Sequence, residues 1–92
     1  MREGMRLIVR GRVQGVGFRW WAVGEARRLG LAGWVRNRAS GEVELCAFGP
    51  PAALDQLASA CGAGPPVALV HSVDRRAEQD DGSVGFHARD TA

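Results

Sequence analysis

The segment Gly11-Arg12-Val13-Gln14-Gly15-Val16-Gly17-Phe18-Arg19 constrains the fold most, because the hydrophobic period changes across it. Before it, Met5, Leu7 and Val9 alternate with Arg6, Ile8 and Arg10, the period of two of a half-buried strand. After it, Phe18, Ala22, Ala26 and Leu29 fall at helical spacing, with Arg27 and Arg28 in the last turn and Gly30 as a stop. A strand must therefore give way to a helix within a few residues, and closely spaced glycines make such a turn. The same turn is an anion cradle: glycine lets backbone N–H groups converge, and a helix begins with N–H groups that have no intrahelical partner. Arg19 stands in that first turn, where the helix dipole opposes a cation by roughly 0.3–1 kcal/mol unless an anion lies between them.

The rest of the chain supplies a sheet and a second helix. Leu31 to Asn37 and Val43 to Ala47 read as a hairpin about the Ala39-Ser40-Gly41 turn. Pro51 at a first helical position, then Leu54, Leu57, Ala58 and Cys61, with Gly62 at the end, describe an amphipathic helix. Beyond Gly64-Pro65-Pro66, Val67 to Ala77 reads as a strand in which Val70 and Val73 are out of phase, the mark of a bulge. Val84, Phe86 and Ala88 alternate as a short last strand before a frayed tail. The order β-α-β-β-α-β, with one further strand, predicts a single domain over residues 1–92. Its class is an α+β, ferredoxin-like sandwich: a mostly antiparallel sheet covered on one face by two helices. Gly24 inside the first helix is disfavoured by propensity and is read as allowing close helix packing.

A crossover through the first helix makes strands one and two parallel, so both end at one sheet edge and Asn37 comes beside the glycine turn. The expected site contains a nest of backbone donors, one guanidinium and one side-chain amide, without a thiol, imidazole or carboxylate nucleophile. Arginine and N–H groups suit a phosphoryl group, and a carboxamide can orient water. Lacking a general acid, the site favours a leaving group that needs no proton, which a carboxylate is. Acyl phosphates are thus the natural substrate class, hydrolysed by in-line water with no metal and no cofactor.

GRVQGVGFR at 11–19, LGLAGWVRN at 29–37 and GEVELCAFG at 41–49 together resemble the acylphosphatase family, small enzymes that hydrolyse the carboxyl-phosphate bond. The likeness is strongest over residues 9–49, with weaker echoes in Gly64-Pro65-Pro66 and Phe86-His87-Ala88-Arg89. It implies that Arg19 binds the substrate phosphate and that Asn37 orients the attacking water. It also implies that Gln14, Gly15, Val16, Gly17 and Phe18 form the phosphate loop, mainly through backbone N–H groups. Ser40 and Ala88 depart from the family's usual aspartate and larger aliphatic residue, and neither is expected to touch the chemistry. The implied partners are a small acyl phosphate and, as product and competitive inhibitor, inorganic phosphate; a monomer is expected.

Composition narrows the alternatives. Residues 1–38 carry nine arginines against two acids, and residues 39–92 three arginines against eight acids. Such polarisation either attracts phosphate-bearing ligands or cancels where strands from the two halves pair. Arg12, Arg36 and Arg38 accordingly read as anion-steering groups or as solvated charge. The opening residues lack the apolar run of a signal peptide and nothing reaches a membrane span, so a soluble, cytoplasmic protein is expected. Cys46 and Cys61 read as free buried thiols. A thiol-phosphatase needs arginine six positions after its cysteine, where this chain has Ala52 and Val67. Neither His71 and His87 nor the cysteines have zinc-ligand spacing, and the Gly-Lys-Ser/Thr ending of a nucleotide loop is absent. Trp20, Trp21 and Trp34 read as packing residues. Two other classes share the fold: RNA-binding modules, disfavoured because Glu42 and Glu44 occupy outward positions of strand three, and a non-catalytic anion-sensing module.

Overall fold

Alternation along the first strand places Met5, Leu7 and Val9 in the core and leaves Arg6 and Arg10 on the other face, and the rest of the sheet is built on that division. A computed structural model describes residues 2–92. In chain order the elements are β1 (Glu3–Arg12), α1 (Phe18–Arg28), β2 (Ala32–Asn37), β3 (Val43–Gly49), α2 (Pro51–Ala63), β4 (Leu69–Ala77) and β5 (Phe86–Ala88). The strands form one sheet in the order β4-β1-β3-β2-β5. This is the expected ferredoxin-like α+β sandwich, with the extra strand present as β5.

Both β1 and β2 pair antiparallel with β3, so they run parallel to each other. Their carboxyl ends, at Arg12 and Asn37, consequently share one edge of the sheet. The core lies between the sheet and the two helices, where Leu7, Leu45 and Val35 meet Phe18 and Ala22 of α1 and Leu54, Leu57 and Cys61 of α2. Fully burying each such aliphatic or aromatic side chain contributes about 1.5–3 kcal/mol. Cys61 is one of these packing groups, and both cysteines are free and buried. No described helix is long and apolar enough to cross a membrane.

The bulge expected in the fourth strand falls at His71, where Arg10 pairs with Ser72 but Gly11 pairs with Val70. The strand itself begins at Leu69 rather than Val67, and α2 runs past Gly62 to a cap at Gly64. Two expectations are corrected. Gly24 does not serve close packing, since a Cβ there would meet nothing within 4 Å. Nor is the tail frayed: Arg89 N–H donates to the Val35 carbonyl at 2.8 Å, Ala92 N–H to Asn37 at 3.0 Å, and Ala39 N–H to Ala92 at 2.9 Å. The tail therefore continues along β2, satisfying backbone groups that an edge strand would otherwise leave unpaired.

Candidate active site

The strand-to-helix turn is held by two glycines in the left-handed region, Gly15 at φ 73° and Gly17 at φ 78°. Other L residues rarely adopt that conformation, so glycine is required for backbone shape; a Cβ at either position would project into open space. Gly17 also caps α1, whose first intrahelical bond runs from Trp21 N–H to the Gly17 carbonyl at 3.0 Å. The N–H groups of the first turn ahead of Trp21 thus have no intrahelical acceptor. No side chain caps this end and no acid lies in the first turn. It keeps its positive pole free for an external anion.

A cavity of about 410 Å³ opens at this turn and is lined by Gly15, Gly17, Phe18, Arg19 and Asn37, together with Val13, Trp20 and Ala88. The structure therefore brings Arg19 and Asn37 together with three of the five loop residues proposed from sequence. Gln14 and Val16 are not part of the lining. The Gln14 side chain instead donates to the carbonyls of Arg38 at 2.8 Å and Glu42 at 2.9 Å. It ties the glycine turn to the backbone that follows Asn37, which fixes the distance between the two halves of the site. Arg19 Nη1–H donates to the Arg89 carbonyl at 3.1 Å, and among the described residues no carboxylate stands within ion-pair distance of it. A carbonyl orients a guanidinium without neutralising it, so the remaining N–H donors keep their charge for a ligand.

Three lining residues were not singled out for the site. Val13 belongs to the motif itself and Ala88 to the last strand, so the sequence signal was their place beside Gln14 and Arg89. Ala88, expected to stand apart from the chemistry, borders the cavity because β5 lies parallel to β2. Trp20, expected to pack, is 85% exposed. Its neighbours Phe18 and Trp21 face the core instead and meet edge to face with ring centroids 5.2 Å apart. Trp34 does pack, buried on the opposite face of the sheet and stacked by the guanidiniums of Arg36 and Arg89 at 4.9 and 4.4 Å.

On that opposite face the charge of the two halves cancels. Glu44 takes the expected outward position on the helix-free face, yet is 1% exposed because Arg36 at 2.7 Å and Arg6 at 2.5 Å cover it. Burial alone would raise its pKa, but hydrogen bonding and charge from Arg36, joined by Arg6, hold it below the ordinary carboxylate value. Arg10 pairs with both Glu42 and Asp74, and Arg38 leans toward Glu42. The arginine excess of the first half is thus largely consumed by acids of the second, and Arg36 and Arg38 belong to this network. Burial pushes the thiols of Cys46 and Cys61 up to about 12, which leaves neither as a nucleophile at neutral pH.

A family model described as acylphosphatase matches residues 5–88. An acylphosphatase of Acidiphilium cryptum is 49% identical over 85 residues, covering 92% of this chain and 93% of that one. Among solved structures, an acylphosphatase from Bacillus subtilis superposes with a TM-score of 0.91 at 40% identity, covering 97% of this chain and 99% of its own. One from Coxiella burnetii gives a TM-score of 0.92 at 34% identity, covering 96% and 93% respectively.

Proposed function

The chain belongs to the acylphosphatase family and is an enzyme of that kind, and from this premise we propose how its own residues carry the reaction. Arg19 binds the phosphoryl group of an acyl phosphate, and the 14–18 backbone with the start of α1 completes the cradle. Asn37, across the cavity, holds a water through its amide group in line with the scissile bond. The water oxygen attacks phosphorus while the bond from phosphorus to the carboxylate oxygen breaks. The carboxylate leaves with the electron pair, and the water proton passes to a phosphate oxygen or to solvent.

The observation supporting this reading is the meeting of Arg19, Asn37 and the glycine turn around one cavity, although they come from α1, β2 and the connecting loop. Charge developing on the equatorial oxygens meets a guanidinium that has no carboxylate partner among the described residues, and a helix start without a side-chain cap, so the scheme needs no metal. All these groups come from one chain, which makes a monomer sufficient. Inorganic phosphate, the product, competes for the same cradle.

The test is hydrolysis of benzoyl phosphate by the purified protein in the presence of a chelator, with Arg19→Ala run in parallel. Turnover that persists in chelator, is inhibited competitively by inorganic phosphate and collapses in the variant is the expected result. A folded wild-type protein that binds phosphate without turning over substrate would leave an anion-sensing module instead.

A further inference from the structure

The phosphate cavity has a larger neighbour. A groove of about 680 Å³ runs along the exposed side of α1 to the Pro65-Pro66-Val67 segment, and it shares Gly17 and Trp20 with the phosphate cavity. Trp20 is 85% exposed and Val67 67%, so two large apolar side chains stand in water on its walls. Of the charged groups along it, Glu25 pairs with Arg28 at 2.8 Å, and Arg27, which keeps its charge, is held in place where its Nε–H donates to the Phe86 carbonyl at 3.0 Å. Gly24 also lines the groove, where a Cβ would meet nothing within 4 Å. A helix glycine without a packing or conformational reason leaves the groove floor open at the expense of helix propensity.

In-line displacement fixes where the leaving group goes. The departing oxygen lies opposite the attacking water, so with water held at Asn37 the acyl group points away from that residue. Asn37 lines the phosphate cavity and is not part of the groove, and the two spaces adjoin at Gly17 and Trp20, which line both. We propose that this groove is the acyl-group subsite, and that the preferred substrates are acyl phosphates with a bulky apolar acyl group lying against Trp20. An indole face on a mostly apolar groove favours a ring or branched chain, whereas an acetyl group is too short to fill it. The inference rests on the acylphosphatase reading, and the experiment separates the two.

KM and kcat are measured for benzoyl and acetyl phosphate with wild type, Trp20→Ala and Val67→Ser. The benzoyl-to-acetyl comparison is made within each protein and then between proteins, which cancels the intrinsic reactivity of the two substrates. Removing an aromatic face or two methyl groups should raise KM for benzoyl phosphate about three- to tenfold more than KM for acetyl phosphate. The effect should fall on KM rather than kcat, because the groove grips the acyl group equally before and during displacement. Both substituted positions are exposed, so the fold does not depend on them, and Val67 lies outside the phosphate cavity. Equal changes for the two substrates, or none, would overturn the subsite while leaving the activity standing. No hydrolysis of either substrate by the wild-type protein would overturn the acylphosphatase reading itself, and the subsite with it.

Discussion

Arg19 and Arg36 are the same residue type in the same arginine-rich half of the chain, yet the sheet puts them to opposite uses. Arg36 lies on the helix-free face, bonded at 2.7 Å to a buried Glu44 and stacked on Trp34. Arg19 stands at the sheet edge, held by a carbonyl and facing a cavity. On the first face the local rules are satisfied: opposite charges pair, and a buried carboxylate has its partners. At the edge they are broken together, by a cation at a helix start, an uncapped helix, a tryptophan in water and a helix glycine in open space. Such a concentration of unsatisfied preferences is what a binding site awaiting an anion and an apolar group should show.

Exchanging the two arginines' fates tests the contrast most sharply. Arg19→Ala should lower kcat/KM by about 10³-fold, the scale set by removing a charged donor from a transition-state cradle. Because that side chain joins no ion pair among the described residues, the thermal midpoint should hardly move. Asn37→Ala should lower kcat by about 10²-fold through misplaced water, with KM for the acyl phosphate largely kept. Steady-state kinetics beside thermal melts read both, and an unchanged kcat in either variant would remove that residue from the mechanism.

Glu44 gives the converse. Glu44→Gln leaves Arg6 and Arg36 without their carboxylate and should cost about 2–3 kcal/mol of stability, moderated because both arginines are partly exposed. Turnover of the folded protein should persist. The same pair carries a pH signature. A carboxyl held below its ordinary value in the folded state contributes stability that is complete above its unfolded pKa and is lost as pH falls through the folded one. Wild-type stability should therefore fall on acidification below the usual glutamate range, and the Glu44→Gln difference should shrink over the same interval. Urea midpoints at a series of acidic pH values measure it; a difference that does not depend on pH would mean the pair is held by shape rather than charge.

These contrasts were unevenly legible in the sequence. The change of period at residues 11–19 announced the strand, turn and helix, and chain topology alone brought Asn37 to Arg19, because both features follow from local patterns and a parallel pair. The face that Glu44 takes was legible and its burial was not, because alternation says which face a side chain takes and not what waits there; its partners Arg6 and Arg36 come from strands on either side. Trp20 escaped for a related reason. Phe18, Trp20 and Trp21 lie within one turn of α1, and at about 100° per residue Trp20 falls on the side opposite Phe18, so its residue type suggested packing where its position did not. The tail read as frayed because its partner, the free edge of β2, is visible only once the sheet is assembled. Ala88 was set apart from the site for the same cause.

The smallest effect bears on the same division between a satisfied face and an unsatisfied edge. Gly24 has helical backbone and free space for a methyl group, so nothing in the fold requires glycine there. Gly24→Ala should therefore raise stability by up to about 1 kcal/mol, the propensity difference at an exposed helix position. On the other face Glu44 already has its partners, and substitution there can only remove them. A gain in the thermal midpoint for Gly24→Ala, joined to weaker binding of a bulky acyl phosphate, would show the edge trading helix stability for an open groove. Were the variant less stable, α1 would need glycine for a reason that belongs to the fold, and the groove would lose one of the features that set it apart.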